Sequence, residues 1–379
     1  MNISRRNFGL GLGLLGLSAC GNGAAMSFSG AAPLDADLRP TANPGWDAWV
    51  DGFRARASGY GLSDATVSTG FRGAGYLPGV VTRDRNQTES SRTLEDYLSI
   101  SISDERVAKG RAALARQRGT LNALQDRYGV DAEIIAAIWG VESLYGEKRG
   151  SVPVVSATST LAFDGRRGAF FEQQLVAALK IVQAGDAAPS NMTGSWAGAM
   201  GHTQFIPTTY LAYAVDFTGD GRRDIWSEDP TDSLASTANY LARSGWSRGV
   251  RWGGVAGSGA SGGRVIQPQA GGPSFAVTGN FNAIKRYNNS DAYALGVGLL
   301  ADRLAGGGPL QASFPPDANG MTKDDRIALQ KRLTARGFDT GGSDGVIGKK
   351  TEAAIRAWQA SRGLPETGQP SLELLRSLG

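Results

Sequence analysis

The sequence predicts a mainly α-helical protein with small β additions and a helical module at its carboxyl end. Three observations lead to this fold class. Apolar residues recur at helical spacing in several segments, glycine and proline separate those segments, and a Gly- and Pro-rich stretch at 306–320 predicts a linker before residues 321–379. The 379 residues are enough for two domains, or for one large domain and one small module.

The composition argues against several classes of protein. Lys and Arg number 39 and Asp and Glu 35, so the net charge of +4 gives no indication of nucleic-acid binding. The single cysteine rules out an internal disulfide framework and a cysteine-rich zinc or iron–sulfur centre. The single histidine argues against a histidine-based metalloenzyme.

Residues 1–20 have the organisation of an export signal. Arg5 and Arg6 precede an apolar stretch, Phe8 to Leu17, which ends in small residues. This order is typical of a cleaved signal peptide, and the paired arginines resemble a twin-arginine signal. The apolar stretch is too short to span a bilayer.

The sole cysteine, Cys20, ends a Leu-Ser-Ala-Cys sequence that resembles a bacterial lipobox. We expect its lipidation to anchor the chain to the outer membrane and to hold it in the periplasm. A plain secretory signal with an incidental cysteine is the alternative. Residues 21–43 are small and polar and contain prolines, which predicts a flexible tether before a folded domain at 44–305.

Helices are predicted where apolar periodicity coincides with start and stop signals. Asp131 and Pro230 mark two starts, and Gly146 and Gly245 mark the corresponding ends. The predicted helices cover 106–127, 131–145, 170–183, 231–243 and 291–304. Residues 250–280 are rich in glycine and are either a loop-rich β insertion or a flexible excursion.

Glu142 is the acidic residue whose position is most informative. It follows Ile138 by four residues and Trp139 by three, so it lies at the edge of the apolar face of the predicted 131–145 helix. A buried, unpaired carboxyl group has a raised pKa, which is what a general acid needs. A Glu satisfied by a buried arginine or by backbone amides is the alternative, and this pattern alone leaves both open.

Several motifs resemble the lytic murein transglycosylase B family. They follow one another in order over roughly residues 45 to 305, which makes the resemblance specific. The motifs are Trp139-Gly-Val-Glu-Ser-Leu-Tyr-Gly146, Gly194-Ser-Trp-Ala-Gly-Ala-Met-Gly-His-Thr-Gln-Phe-Ile-Pro207, Asp216-Phe-Thr-Gly-Asp-Gly-Arg-Arg-Asp-Ile-Trp226, Ala238-Asn-Tyr-Leu241 and Arg286-Tyr-Asn-Asn-Ser-Asp-Ala-Tyr293.

The resemblance implies a goose-type lysozyme-like helical core and cleavage of the β-1,4 bond between N-acetylmuramic acid and N-acetylglucosamine in peptidoglycan. Glu142 falls on the catalytic glutamate of the first motif and would act without a cofactor. The residues implied to bind substrate are Ser195, Gln204, Tyr240, Tyr287, Asn288 and, on weaker local similarity, Tyr97. Ser and Asn also serve in turns and caps, which is the structural alternative for those positions. We expect His202 to be a groove or loop residue and not a base.

The implied reaction consumes no water. Glu142 would protonate the glycosidic oxygen and then accept the proton of the muramoyl C6 hydroxyl, which closes a 1,6-anhydro ring. A hydrolytic muramidase would need a second carboxylate, for which Glu147, Asp164 and Glu172 are nearby in sequence. A non-catalytic wall-binding scaffold lipoprotein is the alternative from another class.

An acidic loop between 216 and 227 predicts a structural calcium site. Asp216, Thr218 and Asp220 occupy the first alternating positions of an EF-hand-like loop, and Arg222 would supply its backbone carbonyl. The late acidic ligand of the family aligns with Asp232. An Asp/Gly-rich turn without a metal is the alternative.

The carboxyl-terminal residues 321–379 resemble a three-helix peptidoglycan-binding domain. The similarity includes an Asp344-Gly-Val-Ile-Gly348 turn and the Trp358-Gln359 pair. Peptidoglycan glycan strands and an outer-membrane lipid anchor are the expected partners, with enzymes of cell-wall synthesis or amidases as further candidates. No nucleic-acid partner is expected.

Overall fold

The computed structural model describes residues 34–86, 93–257 and 263–379, and these residues are mostly helical. Their helices are α1 Pro44–Arg56, α2 Asp64–Gly70, α3 Pro78–Arg85, α4 Leu94–Ser101, α5 Asp104–Arg116, α6 Arg118–Tyr128, α7 Ala132–Ser143, α8 Val154–Asp164, α9 Gly168–Ala184, α10 Pro207–Tyr213, α11 Thr231–Arg243, α12 Gly279–Tyr287, α13 Asp291–Leu304, α14 Lys323–Ala335, α15 Lys349–Ser361 and α16 Leu372–Ser377. Their strands are β1 Val152–Pro153, β2 Thr193–Gly194, β3 Gly253–Val255, β4 Arg264–Ile266 and β5 Phe275–Val277.

The predicted mainly α-helical class with small β additions is confirmed. The predictions for 231–243 and 291–304 coincide with α11 and α13. The single helix predicted over 106–127 is wrong, because the backbone leaves helical geometry at Gln117, which separates α5 from α6. The buried apolar residues Val107, Leu114 and Leu121 stay in phase across this break, so the apolar pattern does not reveal it.

Two compact units divide the described residues. The first contains residues 34–86, 108–250 and 286–289. Its core includes buried side chains of α1, α2 and α9, among them Val50, Phe53, Val67, Leu175 and Leu179. Helix α7 is buried on every side from Ile134 to Gly140, as expected of a helix at the centre of a domain.

The described end of the predicted 21–43 tether is folded in this first unit. Residues Ala36–Leu38 form a 3-10 helix in which Leu38 is buried. The Thr41 amide donates a hydrogen bond to the Tyr76 carbonyl at 2.9 Å. The export signal and Cys20 lie outside the described residues.

The second unit contains residues 93–107, 251–257, 263–285 and 290–379. Its sheet is antiparallel in the order β3-β5-β4, with both Gly253 and Arg264 opposite Val277. The described part of 250–280 is therefore a β insertion. The Trp252 indole lies over Gly298 of α13, where an added Cβ would come within 2.3 Å of the ring.

The last three helices of the second unit form a small bundle. Its core contains Leu329 and Leu333 of α14, Ile355 and Trp358 of α15, and Leu374 of α16. A reciprocal pair of hydrogen bonds between Thr322 and Asp325 caps the start of α14. The boundaries predicted for this module and its linker remain predictions.

No helix among the described residues is both long enough and apolar enough to cross a bilayer.

Candidate active site

Glu142 lies in the last turn of the buried helix α7. Its side chain is buried, with 8% of the residue exposed. The chain then passes through three successive left-handed residues: Leu144 at φ 52°, Tyr145 at φ 59° and Gly146 at φ 91°. Non-glycine residues adopt this conformation only where the surrounding structure holds them, which is common at functional sites.

The Ser143 hydroxyl holds this unusual helix end. It donates to the His202 carbonyl at 2.5 Å and accepts the Gly146 amide at 3.0 Å. The segment that follows Glu142 is thereby fixed to the loop that carries His202.

Tyr287 lies close enough to Glu142 for the carboxylate charge to act on its hydroxyl. Burial raises the pKa of Tyr287 well above its usual value, and the negative charge of Glu142 raises that pKa further. The Tyr287 hydroxyl therefore stays protonated. That hydroxyl donates to the Thr203 carbonyl at 2.6 Å. The Tyr240 ring packs edge-on against Tyr287 at 5.0 Å, and its hydroxyl donates to the Arg286 carbonyl at 2.5 Å.

Gln204 has a left-handed backbone with φ 55° and a side chain of fixed orientation. Its amide nitrogen donates to the carbonyls of Arg149 and Gly201, each at 2.9 Å. Because both partners are acceptors, the nitrogen must face them, which leaves the side-chain oxygen as the acceptor. The amide can therefore receive a hydrogen bond from a ligand donor.

The other predicted substrate-binding residues have mixed surroundings. Ser195 lies in a turn, where its hydroxyl accepts the Ala199 amide at 3.1 Å, as in the capping alternative, and can still donate. Asn288 is half-buried directly after α12. Tyr97 belongs to α4 of the second unit, where its ring edge lies beside Gly296.

Three carboxylates of the acidic loop and α11 converge. Oxygens of Asp216, Asp220 and Asp232 all lie within 4.8 Å of one another. Burial, together with the charge of Asp216, raises the pKa of Asp232. Three hard oxygen donors this close fit a cation such as Ca²⁺, which would offset their mutual repulsion.

Backbone amides shape the acidic loop around Asp232. The Asp232 carboxylate accepts the amides of Phe217 at 2.9 Å, Thr218 at 3.0 Å and Asp224 at 3.1 Å. The Asp224 carboxylate accepts the amides of Trp226 at 2.8 Å and Ser227 at 3.1 Å, so it caps a turn.

Arg149 is a site-forming residue that the sequence did not reveal. Its guanidinium donates to the carbonyls of Trp226 at 3.0 Å and Ser227 at 2.9 Å and forms an ion pair with Glu228. Its partners lie 77 to 79 positions away in sequence, so no local pattern could have indicated them.

The three carboxylates considered as partners of Glu142 are each paired with a cation. Glu147 meets Lys109 at 2.6 Å, Asp164 meets Arg85 at 2.5 Å, and Glu172 meets Arg56 at 2.9 Å. Each of these carboxylates is therefore already held by a cation in the fold.

Family comparisons agree with the geometry. The pattern of the transglycosylase SLT domain matches residues 45–260 and 254–302, and that of a peptidoglycan binding domain matches residues 322–378. Membrane-bound lytic murein transglycosylase B of Escherichia coli K12 is 38% identical over 154 residues, which are 40% of this chain and 42% of that protein. The match thus spans less than half of this curated relative.

Solved structures extend the similarity to most of the chain. SltB3 from Pseudomonas aeruginosa, in complex with NAG-anhNAM-pentapeptide, is 43% identical, covers 89% of this chain and 100% of its own, and has a TM-score of 0.69. Slt35 from Escherichia coli, in complex with calcium, is 28% identical, covers 69% of this chain and 93% of its own, and has a TM-score of 0.58. The predicted lysozyme-like architecture is therefore confirmed, and the chain belongs to the transglycosylase SLT family of lytic murein transglycosylases.

Proposed function

We propose that this protein cleaves the β-1,4 bond between N-acetylmuramic acid and N-acetylglucosamine in peptidoglycan without hydrolysis, with Glu142 as acid and then base. The observation that carries the proposal is the burial of Glu142 at the held end of α7. The SltB3 complex with NAG-anhNAM-pentapeptide supports the substrate class and the 1,6-anhydro product.

The proton balance needs only one carboxyl group. Protonated Glu142 gives its proton to the glycosidic oxygen while the C1–O bond breaks. The substrate N-acetyl oxygen stabilises the positive charge at C1. The Glu142 carboxylate then takes the proton of the C6 hydroxyl as its oxygen bonds to C1, which regenerates the acid and consumes no water.

The surrounding residues orient the sugar in this proposal. The Gln204 side-chain oxygen accepts a hydrogen bond from the ligand, and Ser195 donates one. The hydroxyl groups of Tyr240 and Tyr287 donate to backbone carbonyls, so we assign to these residues contact with the sugar through their rings. Asn288 is a further proposed substrate contact, and the assignment of Tyr97 rests on the sequence resemblance alone.

The direct test of the catalytic role is Glu142→Gln, with Glu147→Gln as the matched control. Glu147 is exposed and paired with Lys109. We expect Glu142→Gln to lower the cleavage of purified sacculi by roughly 100- to 10,000-fold, the usual contribution of a general acid, while co-sedimentation with sacculi persists. Substantial cleavage by Glu142→Gln would contradict the mechanism.

Calcium binding is proposed for the acidic site of Asp216, Asp220 and Asp232, with Thr218 and the Arg222 carbonyl as further oxygens. The convergence of the three carboxylates and the calcium complex of Slt35 support it. When bound, the ion would neutralise the repulsion within the acidic site.

Lipidation of Cys20 is proposed to anchor the mature chain to the outer membrane, facing the periplasm. The lipobox-like sequence supports this, and a relative is named as membrane-bound. To test this, the full-length protein is expressed in bacteria and its partition into a detergent phase is measured. Cys20→Ser should abolish that partition.

A further inference from the structure

We propose that His202 is a positioning residue for Glu142, which fixes the last turn of α7 against residues 225–228. The inference rests on the function proposed above. The His202 side chain is buried, and the cleavage steps do not use it as a proton carrier.

The ring of His202 is held in one tautomer. The Trp139 indole nitrogen donates to His202 Nδ1 at 3.2 Å, so Nδ1 carries no hydrogen. The hydrogen of the neutral ring is then on Nε2, which donates to the Ser227 carbonyl at 2.8 Å. Trp139 lies three residues before Glu142 on α7, so this bond reaches the turn that carries the carboxyl group.

The charges around the ring favour its neutral form. Burial lowers the pKa of His202, while the hydrogen bond to Ser227 acts against it. Arg149 Nη1 lies 3.3 Å from Nε2 and also opposes protonation, whereas Glu228 and Asp229 act in the other direction. A protonated ring would also place an N–H on Nδ1 directly against the indole N–H of Trp139.

The backbone of His202 holds the other side of Glu142. Its carbonyl accepts the Ser143 hydroxyl at 2.5 Å, and its amide donates to the Ile225 carbonyl at 3.3 Å. A Cβ at Gly146 would lie 2.6 Å from Nδ1, so the ring fits only beside a glycine. Ring and backbone together hold residues 139–146 on both sides of Glu142.

Three substitutions separate the effects of the two hydrogen bonds made by the His202 ring. His202→Leu removes both, His202→Asn keeps an acceptor near Nδ1 for Trp139, and His202→Gln keeps a donor near Nε2 for Ser227. Displacing a catalytic group by about 1 Å can cost around 100-fold in rate. We expect His202→Leu to lower kcat by roughly 10- to 100-fold with little change in KM, and His202→Asn to recover more activity than His202→Gln.

Two tryptophans give a matched control. Trp139→Phe removes the indole that donates to His202, whereas the buried indole N–H of Trp246 has no hydrogen-bond partner within the described part of the chain. We expect Trp139→Phe to lower kcat and Trp246→Phe to leave it unchanged. Adding Trp139→Phe to His202→Leu should cause no further loss.

Because the chain has one histidine, nitrogen-15 labelling of histidine gives a spectrum of His202 alone. We expect the full mature chain to show an unprotonated Nδ1 and a protonated Nε2 at neutral pH, with the Nδ1 resonance shifted in Trp139→Phe. The opposite tautomer, a charged ring, wild-type kcat in His202→Leu, or a loss that only matches its unfolded fraction would each overturn the proposal. An active Glu142→Gln would instead refute the catalytic assignment, which the nitrogen spectrum does not address.

Discussion

Asp84 is the buried carboxylate whose ion pairs lead to a clear prediction at the residue scale. It is 1% exposed and pairs with Arg166 at 2.6 Å and with Arg167. Burial alone would raise the pKa of Asp84, but hydrogen bonds from the two arginines outweigh it and hold that pKa below its usual range. A carboxyl group of this kind stabilises the fold above its unfolded pKa, and that stabilisation is lost as the pH falls through the folded value.

Asp84→Asn should therefore lower the free energy of unfolding at neutral pH by about 1–3 kcal/mol and reduce its dependence on acidic pH. Denaturant titrations at neutral and acidic pH measure both. Asp51→Asn is the control, because Asp51 is exposed and lies 3.7 Å from its partner Arg54. Equal effects of the two substitutions would show that the ion pairs of Asp84 add nothing to the free energy of unfolding.

The residue scale also shows what a single sequence can indicate about a site. The burial of Glu142 at the end of its helix agrees with the apolar pattern around it, although its catalytic role remains a proposal. The hydrogen bonds of His202 and Arg149 join segments far apart in the chain, and only folding brings their partners together. The spacing of apolar residues along the chain therefore does not predict such hydrogen bonds.

Helices whose start and stop signals coincide with apolar spacing were predicted best. Helices α11 and α13 begin and end where those signals indicate, although both are largely buried. Helix α8 was missed because six of its first seven residues are Val, Ser or Thr, which favour a helix only weakly. Strands of three residues are too short to show alternation.

The acidic loop and the start of α11 should respond to calcium as one element. If Ca²⁺ binds the folded site, it should raise Tm, by an amount equivalent to about 2.7 kcal/mol at 100 times its Kd. Asp232→Asn should abolish this shift, since Asp232 is the buried member of the acidic site. Asp126→Asn, at an exposed position on α6, is the control.

Thermal melts with calcium and with a chelator measure the effect. No calcium-dependent shift in the wild-type protein would contradict the proposed site. A shift that persists in Asp232→Asn would place the ion elsewhere.

At the scale of the whole molecule, the carboxyl-terminal module is docked within the second unit. The Arg326 side chain of α14 is 3% exposed and reaches Glu95 at 2.7 Å and Asp96 at 3.1 Å, both on α4. It also meets Asp317 at 3.1 Å. Lys323 adds a bond to Ser99 at 2.8 Å. These contacts join the module to α4 within this unit.

Removing the two acids of α4 should release the module without unfolding it, because Arg326 keeps its bonds to the Gly345 and Met321 carbonyls. We expect Glu95→Gln combined with Asp96→Asn to speed proteolytic cleavage within residues 306–320 several-fold. Glu352→Gln on the exposed surface of α15 is the control. Unchanged cleavage would show that the ion cluster does not hold the module.

Mass spectrometry of the products released from purified sacculi in water enriched in oxygen-18, using protein without residues 1–20, distinguishes transglycosylation from hydrolysis. We expect muropeptides that end in 1,6-anhydro-muramic acid, lighter by one water than hydrolysis products and free of the heavy label. Reducing ends that carry oxygen-18 would show that water attacks C1, and would contradict a mechanism in which Glu142 alone supplies and recovers the proton.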